Sequence, residues 1–136
     1  MKERVHQLNM AGRVAFAGWV DDMESLWPEI DCLVHTAVRE PFGRVIIEAL
    51  AHLVPVIAVD SGGPSEILKD GSTGLLVKTA EARALAQAMS MVARAPRLRE
   101  ELARNGHRHV INHFTARATA DHVDAVYRKA TGTGDA

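Results

Sequence analysis

A chain of 136 residues, 47% hydrophobic, carries enough apolar side chains for one domain with a real core. Lys plus Arg is 16 and Asp plus Glu is 17, a formal net charge of -1, which gives no electrostatic case for a nucleic-acid or membrane-surface partner. The single cysteine, Cys32, excludes an internal disulfide and fits a reducing, cytoplasmic setting, and no apolar run is long enough to span a bilayer or to serve as a signal peptide.

In chain order, residues 1 to about 10, with Val5 and Leu8, read as the end of a helix closed by Gly12. Arg13 to Gly18 (RVAFAG) reads as a short buried strand. Trp19 to Pro28 starts as a loop, with Asp21 or Asp22 as the N-cap of one short helix. Asp31 to Thr36 (DCLVHT) is a second apolar strand. Glu40 to Glu48 (EPFGRVIIE) is a turn running into a helix. Pro41 holds Glu40 out of the α region, and Ile46, Leu50 and Leu53, with Ala49 beside them, form one apolar stripe. Pro55 to Asp60 (PVIAVD) is a third strand, with proline tolerated at its first position. Ser61 to Ile67 is a glycine-rich turn with Pro64 at the first helical position. Asp70 to Gly74 is a turn and Leu75 to Lys78 a fourth strand. Three helices follow: Thr79 or Ala80 to about Ala93, Pro96 to about His113, and one capped by Thr115 that ends near Arg128. Thr131 to Ala136 reads as a frayed tail.

Apolar strands alternating with helices predict an α/β fold, a parallel sheet with helices on both faces. Ligands in such sheets sit at the carboxyl ends of the strands. Those ends carry Gly18-Trp19, Thr36 to Glu40 and Asp60 to Gly63, so one crevice is expected there. Glu48 falls off the apolar stripe, with Arg44 and His52 one turn away on either side. Two carboxylates, Glu40 and Glu48, therefore flank free backbone N–H groups at the positive end of a helix. Such a set suits a polyhydroxylated anion: carboxylates accept from hydroxyls, and amides donate to phosphate or sugar oxygens.

At this point the chain resembles a known family. The run from Val34 to Val77 is similar to the C-terminal, donor-binding half of GT-B-fold retaining glycosyltransferases of the large family 4. The matching residues are Glu40 and Glu48 in an E-x7-E, Gly62, Gly63 and Glu66 in a GG-x-x-E, Gly74 to Val77 in a G-x-L-V, and Val14, Phe16 and Gly18 in a V-x-F-x-G. The resemblance implies a Rossmann-like sheet truncated at its N-terminus, with residues 1–113 as a partial nucleotide-sugar-binding domain and 114–136 as a C-terminal helix and tail. It implies that Glu48 holds the ribose of a UDP- or GDP-linked sugar and that Glu40, the catalytic candidate, faces the donor sugar. Phe42 and Gly43 would lend amides, Arg44, Gly62, Gly63 and Glu66 would line the donor site, and Trp19 and Val20 would lie near the base. It implies no metal and no cofactor beyond the substrate. The family's two preceding strand–helix units, their diphosphate-neutralising basic residues and the N-terminal acceptor domain have no counterpart here, so the chain alone is expected to be inactive. The missing strands would lie between the Arg13 and Asp31 strands. Direct pairing of those two, a homodimer through the gap, and peripheral membrane association of the full enzyme are the partner expectations. His35 and Thr36 stand where the family has Pro-Ser, and Leu53 where it has glycine.

Each feature also has a plain alternative. The acids can be solvated, with Arg44, Glu48 and His52 a surface ladder. Gly62-Gly63 can be a tight turn, Glu66 a first-turn acid, and Trp19 and Trp27 core or rim residues. His107, His109 and His113 are the one metal-like cluster, and a solvated helix face is the better reading of it. His35 at a strand end is either a satisfied, partly buried histidine or a contact to donor phosphate. The rival functions are a non-catalytic α/β binding or interaction module and a sugar-nucleotide epimerase, which the E-x7-E spacing disfavours.

Overall fold

Val56–Val59 (β2) is buried along its whole length and is the central strand of a three-stranded parallel sheet in the computed structural model, which describes residues 1–132. It pairs with Leu33–His35 (β1), Leu33 opposite Val56, and with Leu75–Val77 (β3), Ile57 opposite Leu75. Side chains alternate across the pleat, and β2 is apolar on both faces. Val56 and Ala58 join one core with Ile46, Ala49 and Leu50 of Arg44–Ala51 (α2) and Ile67 of Gly62–Ile67 (α3). Ile57 joins the other with Ala88 and Val92 of Ala82–Arg94 (α4) and Leu102 of Pro96–His113 (α5). Helices therefore cover both faces of an α/β, Rossmann-like sheet. Ala116–Thr131 (α6) closes the described chain, with Thr115 Oγ1 accepting from the Ala118 amide at 3.2 Å. Of the expected tail, Thr133 to Ala136 lies outside the described residues.

Five expectations need correction. The first helix is Lys2–Gln7, and Asn9 at φ +53 ends it rather than Gly12: the Met10 amide reaches the Val5 carbonyl at 2.9 Å. Arg13 to Gly18 forms no strand, and Phe16 is 42% exposed. An apolar run becomes a strand only where a neighbour offers ladder partners, and neither β1 nor β3 pairs with it. The helix expected after Asp22 is a capped turn, with the Ser25 amide on Asp22 Oδ1, leading to a single 3₁₀ turn at Trp27–Glu29. Pro64 occupies the third helical position, where its missing N–H still costs nothing because the first turn's amides have no carbonyl partner. Leu53 falls past the end of α2 and is 51% exposed, so it is no part of the buried stripe.

Leu53 carries the cost of a substitution. It sits at φ +60, one residue beyond the C-cap His52, where the Val54 amide bonds the Ala49 carbonyl and the Leu53 amide the Leu50 carbonyl. This closure asks for glycine, since an L side chain in the left-handed region clashes with its own carbonyl. Leu53→Gly is expected to relieve about 1 kcal/mol of backbone strain in urea denaturation, offset in part by the half of the side chain that is buried.

His52 stacks on the buried Trp27 with ring centroids 5.7 Å apart and bridges two carbonyl-side partners. Nδ1 lies 2.8 Å from the Glu48 backbone oxygen and Nε2 2.8 Å from Glu24 Oε2. The Glu48 carbonyl and then the Glu24 carboxylate raise its pKa above the ordinary 6.5. A raised folded value means that its contribution to stability is complete below pH 6.5 and fades as pH rises through the folded pKa. Following the His52 imidazole by NMR should give a midpoint above 6.5 that Glu24→Gln moves down.

Candidate functional site

β1 ends at His35, and the chain runs out over the sheet edge before turning into α2. Gly43, at φ +93, is the N-cap and has no side chain to satisfy the amides at the helix start. Glu40, three residues back, instead braces the two residues that precede the helix. Its Oε1 accepts from the Gly43 amide at 2.9 Å and from the Phe42 amide at 3.3 Å. The other oxygen, Oε2, lies 3.5 Å from His35 Nε2, and the His35 side chain is only 13% exposed. His35 Nδ1 is buried without a partner. His35 therefore faces Glu40 with one ring nitrogen and apolar packing with the other.

The glycine-rich loop after β2 locks onto this turn from the other side. The Gly63 amide donates to the Glu40 carbonyl at 2.9 Å, and Ser61 Oγ donates to the Ala37 carbonyl at 3.3 Å. A Cβ on Gly63 would overlap the Phe42 backbone, and one on Gly62 would lie 2.7 Å from the Glu40 carbonyl oxygen. The two glycines thus serve a backbone-on-backbone contact between the loops. Ser65 Oγ donates to Asp60 Oδ1 at 2.6 Å and steadies the start of α3.

On α2, Arg44 Nε donates to Glu48 Oε1 at 2.9 Å, with Arg44 85% and Glu48 37% exposed. Such a pair contributes about 0.5 kcal/mol or less, so either side chain is free to exchange partners with a ligand. His52 binds the carbonyl of Glu48 and not its carboxylate, so the three-residue ladder does not form.

The structure brings His35, Glu40, Phe42, Gly43, Gly62 and Gly63 together where β1 and β2 end, with Arg44 and Glu48 just beyond on α2. Trp19 is not gathered in: it is 88% exposed, and among the described residues its one side-chain bond is from Nε1 to Asp21 Oδ1 at 2.6 Å. Val20 follows it in the same unpaired segment, and Glu66 is exposed on α3. Sequence reasoning missed the Ser61 tether and the bonding of Glu40 to its own turn. The signal for the second was present, since an acid three residues before a helix N-cap is placed to receive its amide. A cavity of about 320 Å³ lies away from this edge, by Asp31, Cys32 and Arg99. Burial and then Asp31 push the Cys32 thiol up to about 11, so it stays protonated at neutral pH. Among the described residues no three His, Cys, Asp or Glu side chains are grouped to hold a metal, and no helix is long and apolar enough to cross a membrane.

Comparison with known proteins gives a consistent picture. The family model described as glycosyl transferases group 1 matches residues 1–109. The lipopolysaccharide core biosynthesis glycosyltransferase LpsE of Rhizobium meliloti is 36% identical over 114 residues, 84% of this chain and 34% of that protein. The C-terminal domain of a glycosyl transferase group 1 family protein, LpcC of Francisella tularensis, superposes with a TM-score of 0.78 at 27% identity, covering 85% of this chain and 60% of that one. HepE of Anabaena in complex with UDP superposes with a TM-score of 0.87 at 26% identity, covering 94% and 35%. The chain spans about a third of the length of the curated relatives it matches, 34%, 31% and 38% for three of them. A family match over most of the chain, joined to the C-terminal-domain fold, means that the protein belongs to the glycosyl transferases group 1 family.

Proposed function

We propose that this chain is the nucleotide-sugar-binding half of a retaining glycosyltransferase of family 4. The observation that carries the reading is the turn at Glu40 to Gly43: an acid, two helix-entrance amides and a glycine loop held in one rigid unit at the sheet's carboxyl edge. The UDP complex of HepE supports it, because that chain shares the fold over 94% of this one. In this reading Glu48 leaves Arg44 to accept from two ribose hydroxyls, and the acidic grip recurs in nucleotide sites. Glu40 faces the donor sugar, and the Phe42 and Gly43 amides support its hydroxyls or phosphate. Arg44, His35, Gly62, Gly63 and Glu66 complete the donor side, and Trp19 and Val20 approach the base only if their segment is carried to this edge. The protein's part is positioning and electrostatic stabilisation of the leaving diphosphate, without metal. Residues 1–113 form the donor-site unit and 114–136 an appended helix and tail. The full enzyme is taken to work in the cytoplasm, meeting its acceptor through an N-terminal domain and the membrane surface peripherally.

The test is a calorimetric titration of UDP and GDP against wild type and Glu48→Ala. Wild type should bind one of them, and the variant should bind about tenfold or more weakly, the value of one charge-assisted contact. Absence of binding to either nucleotide favours the second reading, a non-catalytic module. That reading draws on one observation: both acids are already engaged within the chain, Glu48 by Arg44 and Glu40 by the amides of Phe42 and Gly43. Transfer by this chain alone should be undetectable, and measurable turnover would refute that part.

A further inference from the structure

A second, open cavity lies far along the chain from the Glu40 turn, between the loop that leads into the amino end of β3 and the second half of α5. It holds about 290 Å³ and is lined by Lys69 and Ser72 from the loop and Arg108, His109, Asn112 and His113 from the helix, with no acid on its wall. The loop is a fixed frame: the amides of Ser72 and Thr73 donate to the Lys69 carbonyl, and the Lys69 amide to Thr73 Oγ1 at 2.8 Å. Gly106 lets α5 lie against it, since a Cβ there would stand 2.8 Å from the Thr73 carbonyl.

The cations of this cavity are uncommitted. Among the described residues neither Lys69 nor Arg108 makes an ion pair. Arg108 has Arg104 and Asn112 one turn to either side, and Arg104 is already paired with Glu100 at 2.6 Å. The neighbouring acids do not reach in: Asp70 Oδ1 accepts from the Leu76 amide, and Glu101 stands a turn before Asn105 outside the lining. His113 Nδ1 lies 2.8 Å from the His109 carbonyl, which leaves its Nε2 free. The two rings are 4.5 Å apart. Burial first, then the positive charges of His113 and Lys69, hold the His109 pKa down, as expected where cations converge with no counter-ion.

We propose that this cavity binds a small phosphoryl group, free or on a monosaccharide, gripped by Lys69 and Arg108 and bonded by the Ser72 and Asn112 side chains, with His109 and His113 beside it. The volume, at the small end of the usual ~300–1,000 Å³ for ligand sites, suits a phosphate or a sugar phosphate and not a nucleotide-sugar. The site adjoins the amino end of β3, whereas the Glu40 turn follows the carboxyl end of β1, so the two can be filled together.

The test is an NMR titration of the 136-residue chain with potassium phosphate and with glucose 1-phosphate, against potassium chloride at matched ionic strength. Expected are saturable shifts at Lys69 to Thr73, His109 and His113, weakened about tenfold in Lys69→Gln and in Arg108→Gln and unchanged by excess UDP. Both substituted side chains are exposed, so the variants should fold as wild type does. Equal shifts with chloride, unaltered shifts in the variants, or binding to phosphatidylglycerol vesicles with no response to soluble phosphate would each overturn the proposal. A phosphate response without any nucleotide binding would count against the donor-site reading alone.

Discussion

Gly63→Ala is expected to destabilise the protein by about 3 kcal/mol or more, the largest effect among alanine substitutions at the described glycines. The added carbon would fall on the Phe42 carbonyl, and backbone cannot swing away as a side-chain tip can. Relief requires the two loops to part. That breaks the bond from the Gly63 amide to the Glu40 carbonyl and strains the bond from Ser61 Oγ to the Ala37 carbonyl. Glu40 is then no longer held over the start of α2, so nucleotide affinity should fall together with stability. Urea denaturation with a parallel UDP titration checks both. A variant within 0.5 kcal/mol of wild type would show that the glycine loop is only a turn, since ordinary surface changes stay within about that range.

Leu50→Ala should cost about 3–5 kcal/mol, the range for deleting a fully enclosed leucine whose surroundings cannot collapse. Leu50 is 0% exposed and lies in the core that α2 shares with β2 and α3. On its far side is Gly106 of α5, where a Cβ would meet Leu50 Cδ2. The Leu50 carbonyl is also 3.3 Å from His107 Nδ1, which lies 2.9 Å from the Ala51 carbonyl. The cavity left behind is therefore framed by backbone and by two helices, and little can move in to fill it. Thermal unfolding of the variant gives the number, and a loss below 1 kcal/mol would mean that α2 and α5 close the gap. Gly106→Ala should not offset the loss in the Leu50→Ala background, because its methyl would still stand 2.8 Å from the Thr73 carbonyl.

The long C-terminal helices and the three strands that form were readable because their signals are local. Pro96 and His113 mark the ends of α5 as expected, and Thr115 caps α6. The three strands that form are those with partners, and they are trimmed by three, two and one residues relative to their apolar runs. The Arg13 to Gly18 run carries the same apolar signal, but pairing is a property of two segments and cannot be read from one. At the site, Glu40 and the glycines were legible by type and spacing. What the glycines touch was not: the packing of Gly63 on Phe42 and its bond to the Glu40 carbonyl join segments more than twenty residues apart in a geometry only the fold defines. Trp19 shows the reverse case, a residue with the right neighbours in sequence whose segment no second element holds in place.

Glu40 acts as a resting plug. Its carboxylate holds the Phe42 and Gly43 amides just ahead of α2, and because it is tethered three residues away no dilution weakens that occupancy. Any guest that wants those donors sees only the fraction of molecules in which the plug has swung out, and its apparent affinity is lowered by that fraction. In the donor-site reading, a bare anion would have to evict the carboxylate and would offer it nothing. A sugar gives it hydroxyls to grasp on leaving, so self-occupancy by one acid would filter out simple salts and admit polyols.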